Sequence, residues 1–161
     1  MSIDPASIHD IKNALKTLTP VQVQDYIMRL AKYKKENKEF LSFLLFMSGD
    51  LQQYIKDVKH QIEVGFGSLN TGSTYISVKG IRKILKLANK HIKFSGDKVV
   101  ETEVLIWFCY QLKNSHIRLA SSSVLKNMYD RQMQRIYRSM ELLHEDIQAD
   151  YRKEIADLEG H

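Results

Sequence analysis

The chain has 161 residues, of which 43% are hydrophobic and 27% are charged, and its formal net charge is +5. This composition is typical of an ordinary globular protein and excludes a disordered or fibrous one. The longest apolar run, residues 40–47, is far shorter than the roughly 20 residues needed to cross a bilayer, and the N-terminus lacks the pattern of a secretory signal. We therefore expect a cytoplasmic protein without a membrane partner.

Three helices are predicted in the first part of the chain. Residues 19–22 (TPVQ) have the pattern of a capping box with proline at the first helical position, which predicts a helix over residues 20–35. We expect Asn37 to open the second helix, which ends at Ser48-Gly49. Asp50 is the predicted N-cap of a third helix, in which apolar residues recur every three or four positions.

Residues 78–94 predict a basic amphipathic helix. A rotation of about 100° per residue places six cations within an arc of roughly 100°, which we call the basic face: Lys79, Arg82, Lys83, Lys86, Lys90 and Lys93. The aliphatic residues point the opposite way: Ile81, Ile84, Leu85, Ala88 and Ile92. Residues 79–98 hold seven basic residues and one acidic residue, a net charge of +6 against +5 for the whole chain. All of the excess positive charge is therefore concentrated in this segment.

Two further helices are predicted toward the C-terminus. A tight reversal at Ser95-Gly96-Asp97 leads into a helix over residues 99–112. This helix carries Cys109, the single cysteine, which we interpret as a buried hydrophobe because no cationic neighbour favours a reactive thiolate. No glycine or proline interrupts residues 122–158, so the pattern predicts one long helix of up to about 55 Å, with a bend near His144 as the alternative. Its apolar seam has the spacing of helices packed at a shallow angle: Tyr129, Met133, Ile136, Met140, Leu143 and Ile147.

No segment alternates convincingly like a β-strand, so the predicted fold class is all-α. Short turns favour antiparallel helical hairpins, packed as a short α-α superhelix or as an irregular bundle, with the long C-terminal helix following. No sequence repeat of about 34 to 47 residues is present, so the superhelix depends on the number of helices alone. We expect a single domain over residues 1–158 and read Glu159-Gly160-His161 as the remnant of an affinity tag.

No motif predicts catalysis, a cofactor or a metal site. Glu141 and His144 have the Glu-x-x-His spacing of carboxylate-bridged di-iron bundles. The second copy that such a site requires would be Asp57 and His60, which the helical pattern turns toward solvent. We therefore expect no catalytic, cofactor-binding or metal-ligating residue, and a protein that is not an enzyme.

Three interpretations of the basic face are open. In the first, it is a solvated face whose lysine stems cover apolar surface. In the second, it pairs with residues 141–159, which hold seven acidic and two basic residues and a net charge of −5, within one chain or across two copies. In the third, it contacts an anionic ligand, because residues 79–93 span about 21 Å, long enough to follow several phosphates of a nucleic acid.

Three parts of the sequence carry a family resemblance: LAKYKKENKEFLSFLLF (residues 30–46), KGIRKILKLANKHIKFSGDKVVETEVLIWFC (residues 79–109), and YDRQMQRI with LHEDIQADY (within residues 129–151). In these segments the chain resembles an uncharacterised family of small all-helical bacterial proteins. The resemblance implies a helical array in a bacterial cytoplasm. It assigns no activity and no site residue.

From these features we expect a non-enzymatic helical interaction or scaffold module that contacts its partner through the basic face. The partners left open are an acidic protein surface, a second copy of the chain bound through the C-terminal helix, and nucleic acid. The alternative function is that of a non-specific nucleic-acid-binding protein.

Overall fold

The computed structural model describes residues 3–160 and confirms the all-α class, with no β-strand in this part of the chain. The described residues form eight α-helices: α1 (Ile8–Leu15), α2 (Pro20–Tyr33), α3 (Lys35–Ser42), α4 (Leu51–Gly67), α5 (Thr74–Ser95), α6 (Lys98–Lys113), α7 (Ser123–Met140) and α8 (Glu145–Glu159). A π-helical turn, Phe43–Met47, follows α3, and a 3-10 turn, Leu119–Ser121, precedes α7. No helix between residues 3 and 160 has the length and apolar character that a membrane crossing requires.

The helices group into two compact units, of which the first ends at Phe46 and the second begins at Met47. The expectation of a single domain over residues 1–158 stays a prediction, because two compact units can still unfold in one cooperative transition. Of the three residues read as a tag remnant, His161 lies outside the described residues. Glu159 ends α8 and accepts a hydrogen bond from the hydroxyl of Tyr137.

In the first unit, the predicted capping box opens α2. The amide of Thr19 donates to Oε1 of Gln22 at 2.9 Å, and the amide of Gln22 donates to Oγ1 of Thr19 at 3.3 Å. The prediction for Asn37 was wrong, since α3 begins at Lys35. The side-chain amide of Asn37 instead donates to the carbonyl of Leu30 at 2.8 Å and so satisfies a carbonyl in the last turn of α2.

In the second unit, local caps fix the helix starts. Asp50 Oδ1 accepts from the amide of Gln53 at 3.0 Å, as predicted for the start of α4. The predicted reversal between α5 and α6 is also present. Gly96 has a φ of 60°, the left-handed conformation that a side chain disfavours, and Asp97 Oδ1 accepts from the amide of Val99 at 2.8 Å.

The core of the second unit is built around α6, which packs against α4, α5, α7 and α8. Six of its apolar side chains are fully buried: Val100, Val104, Leu105, Phe108, Cys109 and Leu112. The interpretation of Cys109 as a buried hydrophobe is confirmed, and burial raises the pKa of its thiol to about 12. Since α6 is apolar nearly all round, it forms the centre of this unit.

The prediction of one long helix over residues 122–158 was wrong. Helix α7 ends at Met140. His144 has an extended conformation, and its ring accepts a hydrogen bond from the amide of Asp146, so that α8 starts there. After the break α8 folds back, and the hydroxyl of Tyr129 donates to the carbonyl of Leu158 at 2.9 Å. The alternative, a bend near His144, gave the correct position.

The position of the break follows from the length of α6. The hydroxyls of Thr102 and Ser139 lie 2.8 Å apart, which places the end of α7 beside the start of α6. Because α6 begins only at Lys98, a straight continuation of α7 would extend beyond the N-terminal end of α6 and have no helix to pack against. Folding back instead buries three apolar side chains of α8 in this unit: Tyr151, Ile155 and Leu158.

Candidate functional site

Helix α5 presents the basic face because its opposite side is buried. Ser73 caps the helix, with its hydroxyl accepting from the amide of Ile76 at 3.3 Å. Four of the predicted inward residues are buried, namely Ile81, Ile84, Ala88 and Ile92, and Leu85 is half-buried. The predicted orientation of α5 is therefore confirmed.

Five cations of the basic face are exposed to solvent: Lys79, Arg82, Lys83, Lys86 and Lys93. Lys90 is half-buried. Within residues 3–160, none of the five exposed cations forms an ion pair. Their charges are therefore available to a group from outside the chain.

The acidic C-terminal segment does not neutralise these five cations within the described chain. Helix α8 packs on α6, whereas α5 packs on α4 and α6. The acidic side chains of residues 141–159 are exposed and make no ion pair with the five exposed cations of α5. Pairing across two copies of the chain stays a prediction.

A hydrogen bond connects α7 to α5 at the edge of the basic face, which the sequence reasoning missed. Arg135 donates through Nη1 to Oδ1 of Asn89 at 2.7 Å. Asn89 lies one turn after Lys86 and one turn before Lys93, so this bond places the guanidinium of Arg135 at the edge of the basic face. Arg131 and Arg138 lie one turn before and after Arg135, and both are exposed. Their spacing at i, i+4 and i+7 was visible in the sequence, but the bond from Arg135 to α5 depends on the fold.

Arg135 itself is anchored by an ion pair with Glu101. Its Nη2 donates to Oε1 of Glu101 at 3.1 Å, and Glu101 also accepts from Nζ of Lys98 at 2.7 Å. Burial alone would raise the pKa of Glu101, but the hydrogen bonds and charges of Lys98 and Arg135 outweigh it and lower the pKa below its ordinary value. Arg135 therefore positions α7, while Arg131 and Arg138 carry the exposed charge.

A second polar cluster, around Glu103, connects three helices. Glu103 forms an ion pair of 2.7 Å with Lys59 of α4 and accepts a hydrogen bond of 2.8 Å from the hydroxyl of Tyr151 of α8. The indole of Trp107 donates to the carbonyl of Lys59 at 3.0 Å. Burial and the bond to Glu103 raise the pKa of Tyr151. Since both carboxylate oxygens of Glu103 are occupied by neighbours, this cluster fits a structural role.

The residues weighed as metal ligands do not come together. Asp57 and His60 are exposed, as predicted, and Glu141 and His144 are exposed as well. No group of three or more histidine, cysteine, aspartate or glutamate residues within positions 3–160 has the arrangement of a metal site. The basic face is therefore the feature that best supports a site.

Comparisons with protein-family profiles, with curated proteins and with solved structures find no match for the chain. The resemblance to a family of small helical bacterial proteins stays a prediction. The assignment of the site depends on the geometry of the basic face.

Proposed function

We propose that this protein is a non-enzymatic helical interaction module that contacts an anionic partner through the basic face of α5. The observation that carries this proposal is the exposure of five cations that have no ion pair within the described chain. They lie on a helix whose opposite side is buried, so the charges are presented in a fixed row. The backbone that carries them is fixed before a partner arrives, which lowers the entropy cost of binding.

The row of charges opposes the stability of α5. Like charges three or four residues apart each destabilise a helix by about 0.2 to 0.5 kcal/mol, and the basic face including Lys90 has six such pairs, which amounts to roughly 1 to 3 kcal/mol at low salt. The buried side chains Ile81, Ile84 and Ala88 hold the helix in place despite this repulsion. An anionic partner would relieve the repulsion, and this relief contributes to the expected affinity.

Nucleic acid is the second candidate partner, and the exposed arginines Arg131 and Arg138 favour it. A guanidinium binds phosphate oxygens in a planar, two-pronged manner that lysine does not match. Tyr75 is exposed beside the basic face, but Phe94 is buried and offers no surface for stacking. Contact with nucleic acid would therefore involve the phosphate backbone and carry little sequence preference.

The test is a titration of labelled anionic polymers followed by fluorescence anisotropy. The probes are random-sequence duplex DNA, single-stranded RNA and poly-glutamate, each at low and physiological salt. The face variant combines Lys79→Glu, Lys83→Glu and Lys86→Glu. The control variant combines Lys56→Glu, Lys126→Glu and Lys153→Glu, which changes the net charge equally at exposed positions elsewhere.

We expect the wild type and the control variant to bind at least one probe at low salt, with an affinity that falls steeply as salt rises, and the face variant to lose that binding. If poly-glutamate binds and neither DNA nor RNA binds, the partner is an acidic protein. If DNA or RNA binds and poly-glutamate does not, the partner is a nucleic acid. The proposal is overturned if no probe binds at low salt, or if the face variant binds as well as the control variant.

A further inference from the structure

The first unit leaves much of its apolar surface in water. None of the residues of α1, α2 and α3 is buried. Met28 of α2 is 45% exposed, and Leu45 and Phe46 of the following π-helical turn are 63% and 79% exposed. Contiguous apolar surface of this kind marks an interaction site on a folded protein.

Part of this surface is a groove of about 570 Å³ between α2 and the segment formed by α3 and the π-helical turn. Its apolar lining, which we call the floor, consists of Met28, Ala31, Leu41, Leu45 and Phe46. Met28 and Ala31 are three residues apart on α2, and Leu41 and Leu45 are four apart on the facing segment, so each wall presents one helical face. The groove lies entirely within the first unit.

The charged residues that line the groove are all basic. Its lining includes four lysines, Lys32, Lys34, Lys35 and Lys38, and no acidic residue. Lys35 is 3.9 Å from Glu39, whereas no ion pair within residues 3–160 involves the other three lysines. An occupant must therefore supply both an apolar surface and negative charge.

We propose that this groove binds an acidic amphipathic helix of a partner protein. The apolar face of that helix would cover the groove floor, and its acidic flanks would face the four lysines, which is the helix-in-groove mode of recognition with complementary charge. A nucleic acid offers no apolar face to such a floor, and a flat lipid surface would not enter a concave groove. The proposal is independent of the basic face on α5.

Two labelled peptides of about 16 residues test this proposal with the full-length protein at physiological salt. Both have leucine at every third or fourth position along one helical face. One has glutamate at the remaining positions, and the other has lysine. We expect the glutamate peptide to bind and the lysine peptide, with the same apolar face, to bind at least about tenfold more weakly.

Two groove variants and one control locate the binding. Leu45→Ser with Phe46→Ser removes part of the floor, and Lys32→Glu with Lys38→Glu reverses charge at exposed positions without changing the floor. Each variant is expected to bind the glutamate peptide at least about tenfold more weakly than the wild type does, with an unchanged circular dichroism spectrum. The face variant of α5 should keep the affinity, so failure here is distinguishable from failure of the proposed function.

Three outcomes would overturn the proposal. The first is equal affinity for the two peptides, which would remove the argument from charge. The second is undiminished binding by the lysine-reversed variant, which keeps the groove floor intact. The third is a concentration-dependent dimer that Leu45→Ser with Phe46→Ser makes monomeric, because the groove would then hold a second copy of the chain.

Discussion

Gly65 of α4 packs against Ile84 of α5 so closely that a Cβ on Gly65 would lie 3.0 Å from Cγ1 of Ile84 and 3.3 Å from its Cδ1. Glycine at this position lets the two helices approach each other. Ile84 lies on the buried side of α5, opposite the basic face. The contact therefore helps to set how the basic face is presented.

Replacing Gly65 and Gly67 with alanine should change stability in opposite directions. Alanine favours a helix over glycine by up to about 1 kcal/mol. At Gly67 no atom lies within 4 Å of the added Cβ, so we expect a gain of up to that size. At Gly65 the added Cβ meets the branched side chain of Ile84, and we expect a net loss of about 1 to 2 kcal/mol. Urea unfolding of the two variants measures both effects.

The cause of the loss at Gly65 can be isolated with a double-mutant cycle. Ile84→Ala should destabilise the protein less when Gly65→Ala is already present, because the shorter side chain removes the close contact. Additive effects of the two substitutions would show that Gly65→Ala acts elsewhere.

The two sides of α5 should respond differently to a negative charge. Lys83→Glu with Lys86→Glu places carboxylates at exposed positions and turns three like-charge pairs on α5 into attractive ones, so the variant should be at least as stable as the wild type. Ile84→Asp places one in the core and should cost at least about 3 kcal/mol. Circular dichroism with urea unfolding compares them. An unfolded double lysine variant would contradict the orientation of α5.

Stability should depend on pH through Glu101, whose pKa is lowered in the folded protein by Lys98 and Arg135 acting against burial. Such a group stabilises the folded state above its unfolded pKa, and this contribution is lost as pH falls through the folded pKa. Between neutral pH and about pH 3, the wild type should therefore lose more stability than Glu101→Gln. Parallel urea curves at both pH values test this, and an equal loss in the two proteins would contradict it.

Removing the hydroxyl of Tyr151 should loosen α8. Tyr151→Phe deletes the 2.8 Å bond to Glu103, and a hydrogen bond to a charged group contributes about 1.5 to 3 kcal/mol. We therefore expect a loss of that order in thermal or urea unfolding. Tyr75→Phe is the matched control, because Tyr75 is exposed, and it should have little effect. Equal effects of the two substitutions would refute the structural role of the bond.

Local signals made much of the fold predictable. The capping box at Thr19 and Gln22, the cap at Asp50 and the reversal at Gly96 each depend on atoms within a few residues. The orientation of α5 followed from the spacing of its charges and aliphatic side chains, since one face must be buried. The basic face was therefore predictable from sequence as a surface.

Features that depend on distant contacts were not predictable. The break after Met140 has no glycine or proline to mark it, and its position depends on where Ser139 meets Thr102. The role of Asn37 depends on its reach back to Leu30, seven residues earlier. The bond between Arg135 of α7 and Asn89 of α5 likewise joins residues that are far apart in the sequence. The identity of the partner was not predictable either, because a row of positive charges determines only the sign of the partner's charge.

The burial of Cys109 provides a reporter of opening that needs no engineering. A fully buried thiol with a pKa of about 12 does not react with a thiol reagent at neutral pH until the structure around α6 opens. Its labelling rate therefore measures how often that core opens. The chain has one cysteine, which does not react in the folded state. A second cysteine introduced by Lys83→Cys would therefore be the site that is labelled in the folded protein. A dye at that position would sense a partner on the basic face directly.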